Sequence, residues 1–303
     1  MIVADLAGDA LHDALKGPGM RVRTGSVVVC VRSSLPQIAA GLALHYANHA
    51  LEPDDAFADF HVAVDPPTSM RRWLRPQVQF YFDGQVPFRP LPLDQAFPML
   101  EWGLNWCVSA HCHQYLALHA AVVERDGRAL LLPAPPGSGK STLCAGLIAR
   151  GWRLLSDELA LIDASGMLVP MPRPVSLKNA SIDVIRRFDE RAMIGPVIHD
   201  TIKGSVAHMT PPAESVRRAM MRAAPALIVL PRYRAGAAAT LVPLGKAQAF
   251  MELVRNAFNY HIHGESGFEL LADLVQRCRC YEFEYQDLDE AAQVFNRLAG
   301  ASA

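Results

Sequence analysis

The sequence predicts an α/β protein: a mixed sheet flanked by helices, preceded by a smaller α/β module. Three observations predict it. Short apolar, β-branched runs recur along the chain, among them Val27-Val28-Val29-Cys30-Val31 and the stretches 116–123 and 226–230, each about one strand long. Between such runs stand segments with apolar residues at helical spacing, such as 93–114 with Phe97, Leu100, Leu104 and Val108. One apolar run, 129–132, leads through a glycine-rich segment directly into a helical stretch over 142–150.

The first module, 1–114, reads in order as a strand-rich run over 22–32, a helix over 36–49 and a strand at 60–64 stopped by Pro66-Pro67. Strands at 78–82 and 86–88 flank Asp83-Gly84-Gln85, a hairpin turn, and the helix over 93–114 closes the module. A boundary near Gln114 opens the second unit, 115–303. Its strands at 116–123 and 129–132 join through Arg125-Asp126-Gly127. The helix over 142–150 ends at Gly151, which supplies a left-handed residue. Short strands follow at 152–155, 159–162 and 168–169. Residues 170–225 are punctuated by proline and carry Lys, Arg and His without strong periodicity, so they read as loops and short helices over an active face. Strands at 226–230 and 240–242, helices over 245–261 and 268–277, a strand at 281–285 and a helix over 288–298 complete the chain. There is no internal repeat.

Of the 303 residues 51% are hydrophobic and 19% charged, a globular composition. The formal net charge of −1 removes the broad electrostatic case for nucleic acid or an anionic membrane as partner. No signal-like leader is visible, and no apolar stretch approaches the roughly 20 residues that span a bilayer, so a cytoplasmic protein is expected. The cysteines at 30, 107, 112, 144, 278 and 280 lack C-x₂-C spacing and read as reduced thiols. His111-Cys112-His113 offers metal-binding atoms, but successive helical positions point apart and do not converge on one ion. His261 and His263 share a face of an extended segment without an evident third ligand, and stay unassigned.

The chemistry concentrates at Ala134-Pro135-Pro136-Gly137-Ser138-Gly139-Lys140-Ser141-Thr142. In the pattern G-x-x-x-x-G-K-[ST], glycines let backbone N–H groups wrap a phosphate, lysine reaches the β- and γ-phosphates, and the next hydroxyl ligates Mg²⁺. This segment is therefore expected to hold ATP with Mg²⁺, with Ala134 standing where the pattern has its first glycine. Asp157-Glu158 follows a short apolar strand and lies only 17 residues after Lys140. It reads as a Walker B ending in which one carboxylate serves the metal and the other a proton. The alternative is a helix N-cap by Ser156-Asp157-Glu158, which the strand-like 159–162 disfavours.

His119 on a strand before the loop, Gly139-Lys140-Ser141, Arg150-Gly151 and Asp157-Glu158, in that order and at similar spacing, resemble the bacterial HPr kinase/phosphorylases. The resemblance covers about 115–300 and looks closest to the HPr-kinase-related kinases, which accompany small peptide-carrier proteins; the phosphoenolpyruvate carboxykinases share a distantly related core. It implies a P-loop kinase core of the HPr-kinase C-terminal type, with Asp157 as catalytic base, Glu158 and Ser141 holding Mg²⁺, and His119 orienting the acidic site. The second acid is Glu here, where the family usually has Asp. On its own, His119 on an apolar strand reads equally as a satisfied core residue. Thr201 to His208 is similar to the family's Arg-Gly signature, with Lys203 in place of the arginine, keeping its charge and losing its bidentate geometry; the alternative for Lys203 is an ordinary solvated lysine. Lys178 and Arg173 are weaker candidates. The activity implied is an ATP-dependent kinase acting on a Ser or Thr hydroxyl of a small protein or peptide, and the family's habit makes a homo-oligomer plausible. The alternatives are a P-loop ATPase or nucleotide-binding regulator without an acceptor, and a small-molecule kinase.

Overall fold

The computed structural model describes residues 1–6, 8–68, 76–135 and 137–300. It is α/β, with helices flanking mixed sheets. The N-terminal part holds α1 (Gly8–Lys16), β1 (Met20–Thr24), β2 (Val27–Arg32), α2 (Pro36–His45), β3 (Phe60–Asp65), β4 (Gln77–Phe82), β5 (Leu91–Pro92) and α3 (Ala96–His111). Its five strands pair in sequence order, β2 with β3 parallel and the others antiparallel.

An eight-stranded sheet follows. It is built from β6 (Leu116–Arg125), β7 (Arg128–Pro133), β8 (Arg153–Ser156), β9 (Leu159–Ile162), β10 (Leu168–Val169), β14 (Ala224–Tyr233), β15 (Thr240–Pro243) and β16 (Arg279–Tyr285), with α4 (Lys140–Ala149) between β7 and β8. The order is β10-β9-β6-β7-β14-β16-β15, with β8 also on β6. The two halves of β6 thus take different partners: Leu116 to His119 pair with β9, and Val122 to Glu124 with β8. The chain passes from one to the other through Asp157-Glu158, which sets the acidic pair beside His119.

Alternation along β6 and β7 sorts the core. Leu118, Ala120, Val122, Ala129 and Leu131 face one apolar cluster with Leu253 of α7 (Lys246–Arg255) and Leu271 of α8 (Tyr260–Arg277). Ala121, Val123, Leu130 and Leu132 face another with Leu143 of α4 and Phe295 of α9 (Leu288–Gly300). Ala117, on the same side as Ala121, joins the core of the N-terminal part together with Leu159, Leu161 and Met171. Hydrophobic packing therefore runs across the boundary expected near Gln114. Gly25 marks the same contact, because a Cβ there would lie 2.1 Å from the Pro170 carbonyl oxygen.

Three expectations need correction. Residues 86–88 are not a strand. Phe82 and Gln85 exchange hydrogen bonds of 2.9 and 2.8 Å about the turn, but Pro87 and Pro90 break the return, which is β5 instead. The stretch 170–225 is not merely loops and short helices. It holds α5 (Ala180–Phe188), α6 (Ala213–Arg217) and an antiparallel sheet of β11 (Val175–Lys178), β13 (Gly204–Met209) and β12 (Ile198–Thr201). The helix over 245–261 ends at Arg255, because Asn256 to Asn259 leave it to serve the free edge of β6. The His119 N–H donates to the Asn256 carbonyl at 2.7 Å, the Phe258 N–H to the Ala117 carbonyl at 2.9 Å, and the Ala117 N–H to Asn259 Oδ1 at 2.9 Å. Among the described residues, no helix is long and apolar enough to cross a membrane.

A buried charge network ties α3 to the second part. The Tyr46 hydroxyl donates to Glu101 at 2.5 Å, Arg173 lies 3.5 Å from the same carboxylate, and Arg173 also donates to Asn105. Glu101→Ala leaves Arg173 buried without its counter-charge and is expected to cost about 3–5 kcal/mol in a urea unfolding titration; a change below about 1 kcal/mol would show that the pair contributes little.

Candidate active site

β7 ends at Pro133, and the chain turns through Ala134 and Pro135 to Gly137, Ser138 and Gly139 before α4 begins at Lys140. Pro136 lies outside the described residues. Gly137 and Gly139 have φ of +86° and +89°, alternating with ordinary residues as in a backbone anion nest. Ala134 is buried and is not in the positive-φ region, so a methyl group there is accommodated. The loop is pinned from outside: the Tyr233 N–H donates to the Ser138 carbonyl at 2.9 Å, and the Tyr285 hydroxyl to the Gly139 carbonyl at 2.9 Å.

Gly139 is constrained twice. Its φ excludes most side chains, and a Cβ would meet Tyr285 Oη at 2.7 Å and Tyr233 Cβ at 2.9 Å. Gly139→Ala is therefore expected to cost roughly 1–2 kcal/mol from the dihedral alone. It should also weaken binding of a fluorescent ATP analogue at least about tenfold; unchanged affinity would mean that the loop does not hold phosphate.

Lys140 is 6% exposed. Its Nζ lies 3.2 Å from the Asp157 carbonyl oxygen, 3.2 Å from His119 Nε2 and 3.8 Å from Glu158 Oε2. Glu158 Oε2 lies 3.1 Å from His119 Nε2, and Oε1 accepts from Lys178 at 3.3 Å. His119 Nε2 thus stands between an ammonium and a carboxylate, donating to Glu158 in the tautomer that carries the Nε2 hydrogen and accepting from Lys140 in the other.

The two acids point differently. Asp157 Oδ2 accepts from the Ser176 N–H at 3.1 Å, while Oδ1 is buried with no partner among the described residues. Asp157 borders a cavity of about 10 Å³, room for about one water, shared with Ser176, His208 and Arg173. Burial, then the charge of Glu158, push the Asp157 carboxyl above its ordinary range, against Lys140, Lys178 and the neighbouring Ser141 hydroxyl. Burial also pushes Glu158 up, but the hydrogen bond from His119 and the charges of Lys140 and Lys178 overcome it and hold that carboxyl well below its usual range.

Glu158 opens onto two clefts. One, about 820 Å³, holds the glycine loop, Lys140, Ser141, Thr142 and Lys178. The other, about 590 Å³, is bordered by Trp102, Asn105 and Trp106 of α3, by Pro135, and by Phe258 between α7 and α8. Both include His119, Glu158 and Lys203. Lys203 sits at the β12–β13 turn with its Nζ 5.0 Å from the centre of the Trp102 ring. Burial, with the charges of Lys178 and Lys140, lowers its pKa.

The structure thus brings the loop residues, Lys140, Ser141, Thr142, His119, Glu158 and Lys203 to one place. Asp157 lies behind them and Arg173 lies away from the open clefts, paired with Glu101. Sequence reasoning missed the α3 tryptophans and Phe258. Trp102 and Trp106, four apart on a helix, were a readable signal of one aromatic face. The other motifs lie outside these clefts: His111 stacks on Phe82 at 4.8 Å, and His263 Nε2 is 3.1 Å from the Tyr115 carbonyl. The six cysteines are free and buried. Among the described residues, no three His, Cys, Asp or Glu side chains converge as a metal site of their own.

Residues 97–172 are similar to the family described as SynChlorMet cassette protein ScmC. That stretch begins in α3, contains the glycine loop and the acidic pair, and ends before Lys178 and Lys203. No curated protein matches the chain.

Proposed function

We propose that this chain is an ATP-dependent kinase with a P-loop core of the HPr-kinase C-terminal type, transferring the γ-phosphoryl group of ATP to a Ser or Thr hydroxyl of a small protein or peptide. The observation that carries the reading is the meeting of two clefts at His119, Glu158 and Lys203. Phosphoryl transfer needs a donor and an acceptor on opposite sides of the moving group. A protein that only bound a nucleotide needs the first cleft alone. The resemblance to the HPr-kinase-related kinases points the same way, and the similarity to a cassette protein directs the search for the acceptor to small proteins encoded beside this one.

In this reading the nest of Gly137 to Gly139 and the first turn of α4 receive the phosphates, with Lys140 reaching the β- and γ-groups. The residues also fit Mg²⁺, which takes one or two protein ligands beside phosphate oxygens and water: Asp157 has a buried oxygen without a partner among the described residues, next to Ser141. Ser141 and Asp157 would hold the ion, which supplies neutralisation of phosphate charge. The resemblance had given the metal to Glu158 and the proton to Asp157; the orphaned oxygen and the open face of Glu158 favour the exchange of those roles. The acceptor oxygen bonds to the γ-phosphorus as the bond to the β–γ bridging oxygen breaks, ADP leaves, and Glu158 takes the hydroxyl proton. Glu158 is a weak base while Lys140 and Lys178 flank it and His119 donates to it. Phosphates that draw Lys140 away restore part of its basicity. His119 orients the Glu158 carboxylate, and Lys203 balances charge on the moving group.

The test incubates the full chain with γ-labelled ATP, Mg²⁺ and each small protein encoded beside it. Acid-stable label on a Ser or Thr hydroxyl is expected. Labelled free phosphate, with no labelled protein, would replace this reading by that of an ATPase.

A further inference from the structure

The second cleft has walls that phosphate chemistry does not use. Trp106 is held edge-on by Phe82 and Phe88, with ring centres 5.4 and 5.2 Å away. Phe258, 44% exposed, stands edge-on to His119 at 6.0 Å. Trp102 lies under the Lys203 ammonium. The Trp102 indole N–H is buried without a partner among the described residues; other polar side chains in the lining are engaged within the protein: Asn105 Oδ1 accepts from Arg173, the Ser109 hydroxyl donates to the Trp106 carbonyl at 3.3 Å, and Arg255 pairs with Glu252 at 2.6 Å. What a ligand meets is an aromatic wall leading to His119, Glu158 and Lys203.

We propose that this cleft is the acceptor site and takes a polypeptide segment whose Ser or Thr is flanked by a large apolar or aromatic residue, gripped by Trp102, Trp106 and Phe258. The proposal rests on the kinase reading and adds to it the recognition chemistry and its location on α3. Continuity with the phosphate cleft places an acceptor hydroxyl at the shared junction. The lining selects the class. A free hydroxy amino acid or a sugar brings charges or several hydroxyls that an aromatic wall leaves unpaired, at a cost. A peptide brings one hydroxyl with apolar neighbours, and aromatic anchors in such a pocket carry much of the affinity. The N-terminal part also steadies the junction: Gln95 Nε2 donates to the Asp200 carbonyl at 3.3 Å, tying down the hairpin that bears Lys203. Beside Lys203, Ile202 is 91% exposed and offers a further apolar contact at that turn.

Capped nonapeptides with one central Ser and Phe, Leu, Ala or Lys on either side provide the test. Binding is read by tryptophan emission with Mg²⁺ and a non-hydrolysable ATP analogue, and transfer is read with γ-labelled ATP. Phe- or Leu-flanked peptides are expected to bind, and to be phosphorylated with kcat/KM about tenfold or more above Ala-flanked ones. Phe258→Ala, which removes an exposed side chain, and the conservative Trp106→Leu should each cut that preference to about threefold or less through KM for the peptide. Binding of the Phe-flanked peptide without transfer leaves the cleft assignment standing and removes the kinase reading. Transfer without any flank preference does the reverse. No binding of any peptide, a preference unchanged in both variants, or free serine serving as well as the peptide overturns the proposal.

Discussion

Lys140→Ala is expected to weaken ATP binding by about 10–100-fold and to slow transfer by a further 10²–10³-fold or so. The first effect is the loss of a charge-assisted contact with the β- and γ-phosphates, worth roughly 1.5–3 kcal/mol. The second is the loss of a fixed cation where negative charge grows in the transition state. The position makes the variant informative. Lys140 is buried against Glu158 and His119, so a neutral side chain removes one of the cations that hold Glu158 ionised. Lys178 and His119 remain at 3.3 and 3.1 Å, and the acid stays paired. Equilibrium binding of a fluorescent ATP analogue, beside a urea unfolding midpoint, separates lost affinity from lost fold. A folded Lys140→Ala protein with wild-type affinity would mean that the glycine loop is not a phosphate site.

Glu158→Gln is expected to lower kcat by about 10²–10⁴-fold while nucleotide affinity stays within about tenfold, because it removes the proton acceptor and spares the cradle. Asp157→Asn should behave differently. It should raise the Mg²⁺ concentration needed for half-maximal rate, with part of the rate restored in excess Mg²⁺. If instead Asp157→Asn abolishes transfer at saturating Mg²⁺ while Glu158→Gln works normally, the roles revert to those implied by the resemblance. The pH profile gives an independent reading. Burial raises Glu158, but the His119 hydrogen bond and the two lysines hold it well below the ordinary carboxylate range. An acid held low stays anionic as pH falls, so at saturating Mg²⁺, which keeps Asp157 ionised despite the burial that raises it, the acid limb of kcat/KM should lie below the usual carboxylate range. His119→Leu removes the leading opposing cause, the hydrogen bond to Glu158, lifts the Glu158 pKa, and should move that limb to higher pH. A limb that does not move would detach His119 from Glu158.

Legibility followed the range of the forces involved. Arg125-Asp126-Gly127 and the loop from Gly137 to Lys140 were readable because the required dihedrals belong to individual residues; Asp126, Gly127, Gly137 and Gly139 all have positive φ. The strands β6, β7, β9 and β16 were readable from apolar runs long enough to show a pattern. The sheet of β11, β12 and β13 was not, since Ile198–Thr201 and Gly204–Met209 are short and find a further partner only in Val175–Lys178, across α5. The helix expected over 245–261 failed for a similar reason. Nothing local announces that Asn256 and Asn259 are needed to satisfy backbone groups of His119 and Ala117.

The amino-acid order by itself determined the strand–loop–helix unit, the Lys140-Ser141 pair at its end and the acidic pair one strand later. All three depend on residue type and short spacing. Only the tertiary structure decided which acid meets the clefts. That choice is set where β8 and β9 take adjacent halves of β6: Asp157 and Glu158 form the bend between those two strands, and there one residue's difference separates a carboxylate in the cleft from one behind it. The tertiary structure likewise brought Trp102 and Trp106 to the junction. Their place depends on a hydrophobic core shared between α3 and strands that follow it in the chain, and such packing depends on which surfaces meet, which no window of neighbouring residues contains.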